Sequence, residues 1–262
     1  MLLAGLPQAK PPAPSPQTAT ASQGVTSHAP FPAMPKPQAG YHFPVGQTLV
    51  YGAEWRVFNA GVATLHMEQV GQEQRVTGVA DAAGAVALLY HVHDRYESFF
   101  NPSTFCSRNL TKNTEEGLRR VNTNINFDYQ RGKAVLDQKN LRKGDSKHTE
   151  NEIPGCVTDV LSGLYYVGSL PLQIGSTYSV PLNDGSQTVT VDLHVEAREQ
   201  VKTPAGTFNT IRVQPESATG VLKEKGKIWI WYSDDAARIP VQLRGRMFWG
   251  TLTVKLQRIE KK

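Results

Sequence analysis

The sequence predicts a mainly β protein: a single domain built on one large curved antiparallel sheet of about a dozen strands, a half-open barrel wrapped around one α-helix. Three observations carry this expectation. Short apolar–polar alternations recur from Leu49 to Leu256, parted by turn residues in a chain of 262 residues with 22 glycines and 17 prolines. One stretch, Val157–Gly168, has helical period instead, and a lone helix in a β chain has to bury its stripe on a sheet. Finally, Lys227–Tyr232 is apolar on both faces, with Ile228, Ile230 and Tyr232 on one side and Trp229 and Trp231 on the other, as suits a strand covered twice.

Residues 1–40 stand apart from this pattern. After an apolar Met1–Gly5, the chain turns to Pro, Ala, Gln, Ser and Thr with almost no charge. Such a segment cannot bury enough surface to fold and reads as a disordered, partly polyproline tether, a remnant of a signal region ahead of a domain at 41–262. An intact signal peptide is not visible, and no apolar run approaches membrane-spanning length.

The domain opens with a strand over Leu49–Val57, a turn at Asn59-Ala60-Gly61 and a return strand over Val62–Val70. Gln72–Ala82 continues the meander. Gly84–Tyr90 is short and apolar without alternation and reads as a helical turn. Strands follow over His91–Phe100, Phe105–Thr114, Arg119–Tyr129 and Lys133–Lys139, with Asn101-Pro102, Glu116-Gly117 and Arg131-Gly132 between them. Leu141–Asn151 is polar and charged and reads as a surface excursion.

In the helix, Val157, Val160, Leu161, Leu164 and Tyr165 recur at i, i+3, i+4, i+7 and i+8, Asp159 favours the positive end, and Gly168 can close it. Strands resume over Thr177–Leu182 and Thr188–Gln200. Thr203-Pro204-Ala205-Gly206-Thr207 then makes a tight hairpin into Phe208–Pro215. Three C-terminal strands, beginning at Lys227, Ile239 and Leu252, complete the sheet.

The candidate chemistry is sparse. Cys106 and Cys156 can pair in an oxidising compartment or stand as two buried inert thiols; sequence leaves both open. His91 and His93 share one side of a strand near Asp94 and Glu97, but a metal would need a third ligand from elsewhere. Asp234-Asp235 sits in a turn, where Asp serves local backbone bonding more often than acid–base work. Trp229, Trp231 and Trp249 with Arg244 and Arg246 could stack sugars or bases, though core aromatics under surface arginines explain the same letters. Nucleophile-elbow, zinc-protease and phosphate-loop motifs are absent. The formal charge is +5, and from Val201 onward twelve Lys and Arg face five Asp and Glu, a surplus that fits peripheral contact with a membrane through a basic C-terminal surface.

Several segments together resemble a bacterial domain-of-unknown-function family, number three-one-zero-eight. They are Gly46-Gln47-Thr48-Leu49, Ala60-Gly61, Tyr90–Ser98, Asp159–Tyr166, Thr203–Phe208, Ile228–Asp235, Arg238-Ile239-Pro240-Val241 and Phe248-Trp249-Gly250. The likeness spans about residues 41–259 and implies an exported protein, periplasmic or associated with the outer membrane, with no settled activity. One helix cupped by a curved sheet is also distantly similar to periplasmic lipoprotein carriers, in architecture alone. The long Pro-rich N-terminus and the two cysteines depart from the family's pattern.

The expected function is therefore non-enzymatic: an exported envelope protein, without cofactor, metal or nucleic acid, that binds an apolar or amphipathic ligand or an envelope partner in the sheet's concavity. Trp55, Tyr165, Trp229 and Trp231 are the expected lining. The alternatives are a carbohydrate-active or other hydrolase using Asp94, Glu97 and Asp234 in the concave face, and a structural scaffold subunit.

Overall fold

The computed structural model describes residues 31–56, 58–219, 226–247 and 250–261. Most of the expected tether, together with Val57, Phe248 and Trp249, lies outside the described residues. A first meander comprises β1 (Gln47–Trp55), β2 (Phe58–Val70), β3 (Glu73–Ala82), the short helix α1 (Gly84–Leu89), β4 (Val92–Phe100), β5 (Ser107–Glu116), β6 (Arg119–Asp128), β7 (Lys133–Asn140) and β8 (Ser146–Glu152). A second comprises β9 (Thr158–Asp159), the helix α2 (Ser162–Ser169), β10 (Thr177–Asn183), β11 (Thr188–Thr203), β12 (Gly206–Glu216), β13 (Lys227–Ser233), β14 (Pro240–Met247) and β15 (Gly250–Lys261). Each strand hydrogen-bonds to the next, and the two meanders are stitched by β1 against β15, from Gln47↔Lys261 to Trp55↔Leu252. The result is one open fifteen-stranded sheet with β8 and β9 as its margins, antiparallel except for β9 beside β10.

Three expectations need correction. The strand number exceeds a dozen because β8 is polar on both faces and β9 has only two residues, so neither carries an apolar period. Leu141–Asn151 is accordingly not a simple excursion: its second half is the margin strand β8. The first reversal is also displaced. Trp55 pairs with Phe58, and Asn59-Ala60-Gly61 holds a bulge, since Ala53 faces Gly61 while Glu54 faces Asn59. A bulge of this kind bends the strand and increases its twist.

The helix is the fourth correction. It covers Ser162–Ser169 and not the whole of Val157–Gly168. Asp159 decides where it begins: its buried carboxylate accepts the N–H groups of Leu161 (2.8 Å) and Ser162 (3.0 Å), which satisfies the first turn from outside and leaves residues 157–159 extended. The same carboxylate accepts the hydroxyls of Ser98 (2.5 Å), Ser107 (2.6 Å) and Ser162 (2.9 Å), so it also fastens α2 to β4 and β5. Seven of the eight residues of α2 are buried, so the helix is embedded on nearly all sides instead of along one stripe.

The sheet curls until its β8 margin comes against the β10–β11 turn. Chain continuity joins β8 to β9, and side chains bridge the remaining gap: Asn183 Nδ2 donates to Asn151 Oδ1 (2.6 Å) and Thr188 Oγ1 donates to the Glu152 carbonyl (2.7 Å). Gly185, at φ 100°, closes over Ile125 and Leu136, where a Cβ would lie 2.5 Å from Ile125 Cδ1. Lys112 reaches the Asp184 carbonyl (2.9 Å) from the inner face.

The two ends of this cup differ. At the end holding the β2–β3, β4–β5 and β13–β14 connections, residues 31–46 run across the opening as a strap. Tyr166 donates its hydroxyl proton to the Pro35 carbonyl (2.6 Å), Gln38 N–H bonds the Ser169 carbonyl (2.8 Å), and Met34, Tyr41 and Phe43 pack on the main core. Residues 31–40 are thus docked, unlike a free tether, because Met34 and these backbone bonds fix them. Phe43, Phe100, Phe105 and Tyr166 form an aromatic floor with Phe43–Phe105 and Phe105–Tyr166 centroids 5.0 and 5.2 Å apart. A disulfide joins Cys106 to Cys156 there, Cα to Cα 5.0 Å. Gly168 sits so close to the Arg238 carbonyl that a Cβ would come within 2.7 Å. The opposite end, where the β1–β2, β3–β4, β5–β6 and β7–β8 connections lie, has no such strap among the described residues.

Candidate functional site

α2 points its C-terminus at the floor, so Val160–Leu164 at its other end face the open mouth. An apolar hollow of about 200 Å³ lies between this turn and the inner face of β10–β14, lined chiefly by Val160, Leu164, Leu182, Ile228, Ile230 and Leu243. The strand parity explains its character: Ile228 and Ile230 alternate inward from β13, Leu243 faces Ile230 across the ladder, and Pro215 faces Leu193. Ile230 is buried, while Val160, Leu164, Leu182, Ile228 and Leu243 are only partly covered, which leaves apolar surface in the hollow.

A second hollow, about 260 Å³, lies on the other flank beneath Leu161 and is lined by Ala63, Leu65, Gly78, Ala80 and Tyr96, with Asp94 at its edge. Small residues create it. A Cβ on Gly78 would come within 3.3 Å of both Leu161 and Leu65. Burial raises the Asp94 pKa even though its carboxylate accepts the Glu115 N–H (3.0 Å), and burial pushes the Tyr96 phenol up to about 12. The two hollows therefore offer apolar walls with polar groups at one margin.

None of the four expected lining residues borders the first hollow. Trp231 is buried in a second, smaller core with Leu49, Tyr51, Val201, Ile239, Val241 and Leu256, and its indole donates to Glu199. Trp229 packs against that same cluster, on the face away from Ile228 and Ile230. Arg244 stacks over Trp231 at 5.5 Å, so this arginine–tryptophan pair caps a core and does not form a stacking platform. Tyr165 is fully enclosed in the main core, and its neighbour Tyr166 reaches the hollow instead. Trp55, beside Gly250 and under Arg56, lies at the mouth end of β1. Trp249 lies outside the described residues. The useful signal was parity: Ile228 and Ile230 stood on the face opposite the tryptophans, but sequence did not say which face was the concave one.

The other candidate groups are separated. His93 pairs with Asp81 (2.6 Å), which raises its pKa, while His91 turns to Glu115 (3.5 Å). No cluster of three metal-ligating side chains occurs among the described residues. Glu97 is held by Arg95 and projects from the face opposite Asp94. Asp234 is clamped by Arg198 (2.7 Å) and Arg238 (3.0 Å) in the β13–β14 connection at the floor. Asp235 accepts the Ser233 hydroxyl and the N–H groups of Ala237 and Arg238, as a turn aspartate does. No helix among the described residues is long and apolar enough to cross a membrane.

Comparison with known proteins places this architecture. Residues 50–257 match the family described as protein of unknown function, DUF3108. The chain belongs to the DUF3108 family. No curated protein matches it. Among solved structures, a β-barrel-like protein of the domain of unknown function DUF1849 from Brucella abortus is similar, with a TM-score of 0.57 at 10% identity. The match covers 85% of this chain and 99% of that one, and it shows a shared fold between DUF3108 and that protein. A candidate exported protein with a YmcC-like fold from Bacteroides fragilis aligns over 84% of this chain and 99% of its own at 11% identity, with a TM-score of only 0.38.

Proposed function

We propose that this DUF3108 protein is a non-enzymatic exported envelope protein that holds the apolar part of a ligand, such as an acyl chain, in the hollow beside α2. The observation that carries this reading is the hollow itself: an almost wholly apolar cavity against a buried helix, in a sheet strapped at one end and, among the described residues, unstrapped at the other. Its volume of about 200 Å³ is below the roughly 300–1,000 Å³ of sites that enclose a whole drug-sized ligand, so it suits a chain segment whose polar head stays at the mouth. Each roughly 100 Å² of chain surface removed from water contributes about 2.5 kcal/mol. The Cys106–Cys156 disulfide supports an oxidising compartment, as export requires. Nothing in the arrangement favours the hydrolase reading, since Asp94, Glu97 and Asp234 do not converge.

Native mass spectrometry and organic extraction of gently purified protein test the proposal. The expected result is a co-purified amphiphile, with binding of a fluorescent fatty acid weakened about tenfold by Leu243→Trp, which fills the hollow from its partly open side. An empty wild-type protein that binds no fluorescent fatty acid would sink the reading.

A further inference from the structure

We infer that the mouth end of the sheet docks on an anionic lipid bilayer, through the tips of its hairpins. The most exposed large apolar side chains in the described residues gather there. Leu88 and Leu89 on α1 are 88% and 87% exposed, Leu118 in the β5–β6 turn 74%, Phe58 at the start of β2 60%, Leu141 in the β7–β8 turn 53%, and Tyr90 51%. The contacts between the tips are continuous. Ala83 N–H bonds the Ala60 carbonyl, tying α1 to β2; Gly117 lies against the Tyr90 ring; Arg142 Nη1 donates to the Leu118 carbonyl; and Leu141 N–H bonds the Arg120 carbonyl. Leucines left almost fully in water on tips braced this way call for an apolar environment outside the chain.

The charge around them selects its kind. Four acidic groups near this end are neutralised within the protein: Glu116 by Arg119, Glu115 by Arg120, Asp81 by His93 and Glu54 by Lys255. Asp94 is half-buried beside the second hollow, and Asp145 in the β7–β8 turn has no ion pair among the described residues. Arg142, Lys143, Lys227 and Arg246 are exposed at the same end and form no ion pair among the described residues. By contrast, several C-terminal cations to which the sequence pointed are occupied elsewhere: Arg212 with Glu196 and Glu199, Arg238 with Asp234, and Arg258 with Glu260. Apolar residues that project from α1 and from separate strand ends and turns, interleaved with cations that form no ion pair among the described residues, match an interface of acyl chains beneath anionic headgroups. A fluid bilayer accepts such projections without a complementary surface, and its anionic headgroups attract each Lys or Arg near it. The geometry also gives the contact a use, because both hollows flank the end of α2 that faces this rim. Docking itself does not depend on the hollow being filled.

Co-sedimentation of the full chain with vesicles tests the inference. The protein should bind phosphatidylglycerol-containing vesicles in low salt, and bind phosphatidylcholine vesicles about tenfold more weakly. Leu88→Ser with Leu89→Ser, and separately Arg142→Glu with Lys143→Glu, should each weaken anionic-vesicle binding about tenfold while leaving the thermal midpoint unchanged. Leu243→Trp should bind vesicles like the wild type, which separates this inference from the ligand reading. A wild-type chain that ignores both vesicle types overturns the inference, as does double-serine binding equal to wild type. So does a stoichiometric protein complex that depends on Leu88 and Leu89 in the absence of vesicle binding.

Discussion

The floor and the mouth of this sheet are made of similar letters put to opposite uses. At the floor, Phe43, Phe100, Phe105 and Tyr166 interlock beneath a disulfide and a strap of chain, and the large aromatics are buried or packed on buried neighbours. At the mouth, Phe58, Leu88, Leu89 and Leu118 face solvent from turns that are hydrogen-bonded in place. The difference teaches that apolar residues in a β chain report burial only together with what ties their backbone down. Stability is concentrated at one end, and recognition is free to occupy the other.

The sharpest way to break the contrast is to open the floor. Replacing Cys106 and Cys156 by Ala releases a link across a sequence separation of 50 and should cost about 4 kcal/mol in the chain-entropy account. Urea unfolding would read this, and a loss under about 1 kcal/mol would mean that the floor does not depend on the bond. Next in size, Asp159→Ala strands two buried N–H groups and three hydroxyls and should cost about 3 kcal/mol, measured the same way. Phe43→Ala removes the ring that joins strap to floor and should cost about 2 kcal/mol, while Leu88→Ala should stay within about 0.5 kcal/mol. Equal losses at Phe43 and Leu88 would erase the distinction between the ends.

The smallest effect concerns the seam where the curled sheet comes back on itself, which Lys112 crosses to the Asp184 carbonyl. Burial lowers the Lys112 pKa below its unfolded value of about 10.4. Between those two values the unfolded chain holds the extra proton, so this group makes stability rise with pH across that window. Lys112→Met should flatten the rise in urea midpoints as pH approaches about 10.4 from below, and change stability at neutral pH by no more than about 1 kcal/mol. A steeper slope in the variant would contradict the assignment.

Much of this architecture was legible in the residues. The two-faced pattern of Lys227–Tyr232 foretold a strand packed on both sides, and Ile228 and Trp231 indeed lie in different cores. The turn chemistry of Thr203–Gly206 placed its hairpin, with Thr203 opposite Gly206. Other features depend on partners remote in the chain. Ser98 and Ser107 help to make Asp159 the start signal of α2, and Ser169 helps to make residues 31–40 a strap; neither is close in sequence. Strand β8 went unread because a margin with solvent on both faces has no reason to alternate. The concave face was the largest ambiguity: parity divides a strand's residues into two sets but does not orient them, so the tryptophans drew attention from the isoleucines that line the hollow.

The pairing of β1 with β15 has a consequence for how the molecule is made. Each meander can assemble from neighbours as it leaves the ribosome or a translocation pore, yet the strand that unites them is the last to emerge. Until then two half-shells with raw inner margins must be kept apart from other chains, so loss of β15 alone would strand both. Conversely, a rearranged gene that fuses Lys261 to Gln47 and starts instead between β8 and β9 would turn that latest union into a local hairpin made midway along the chain.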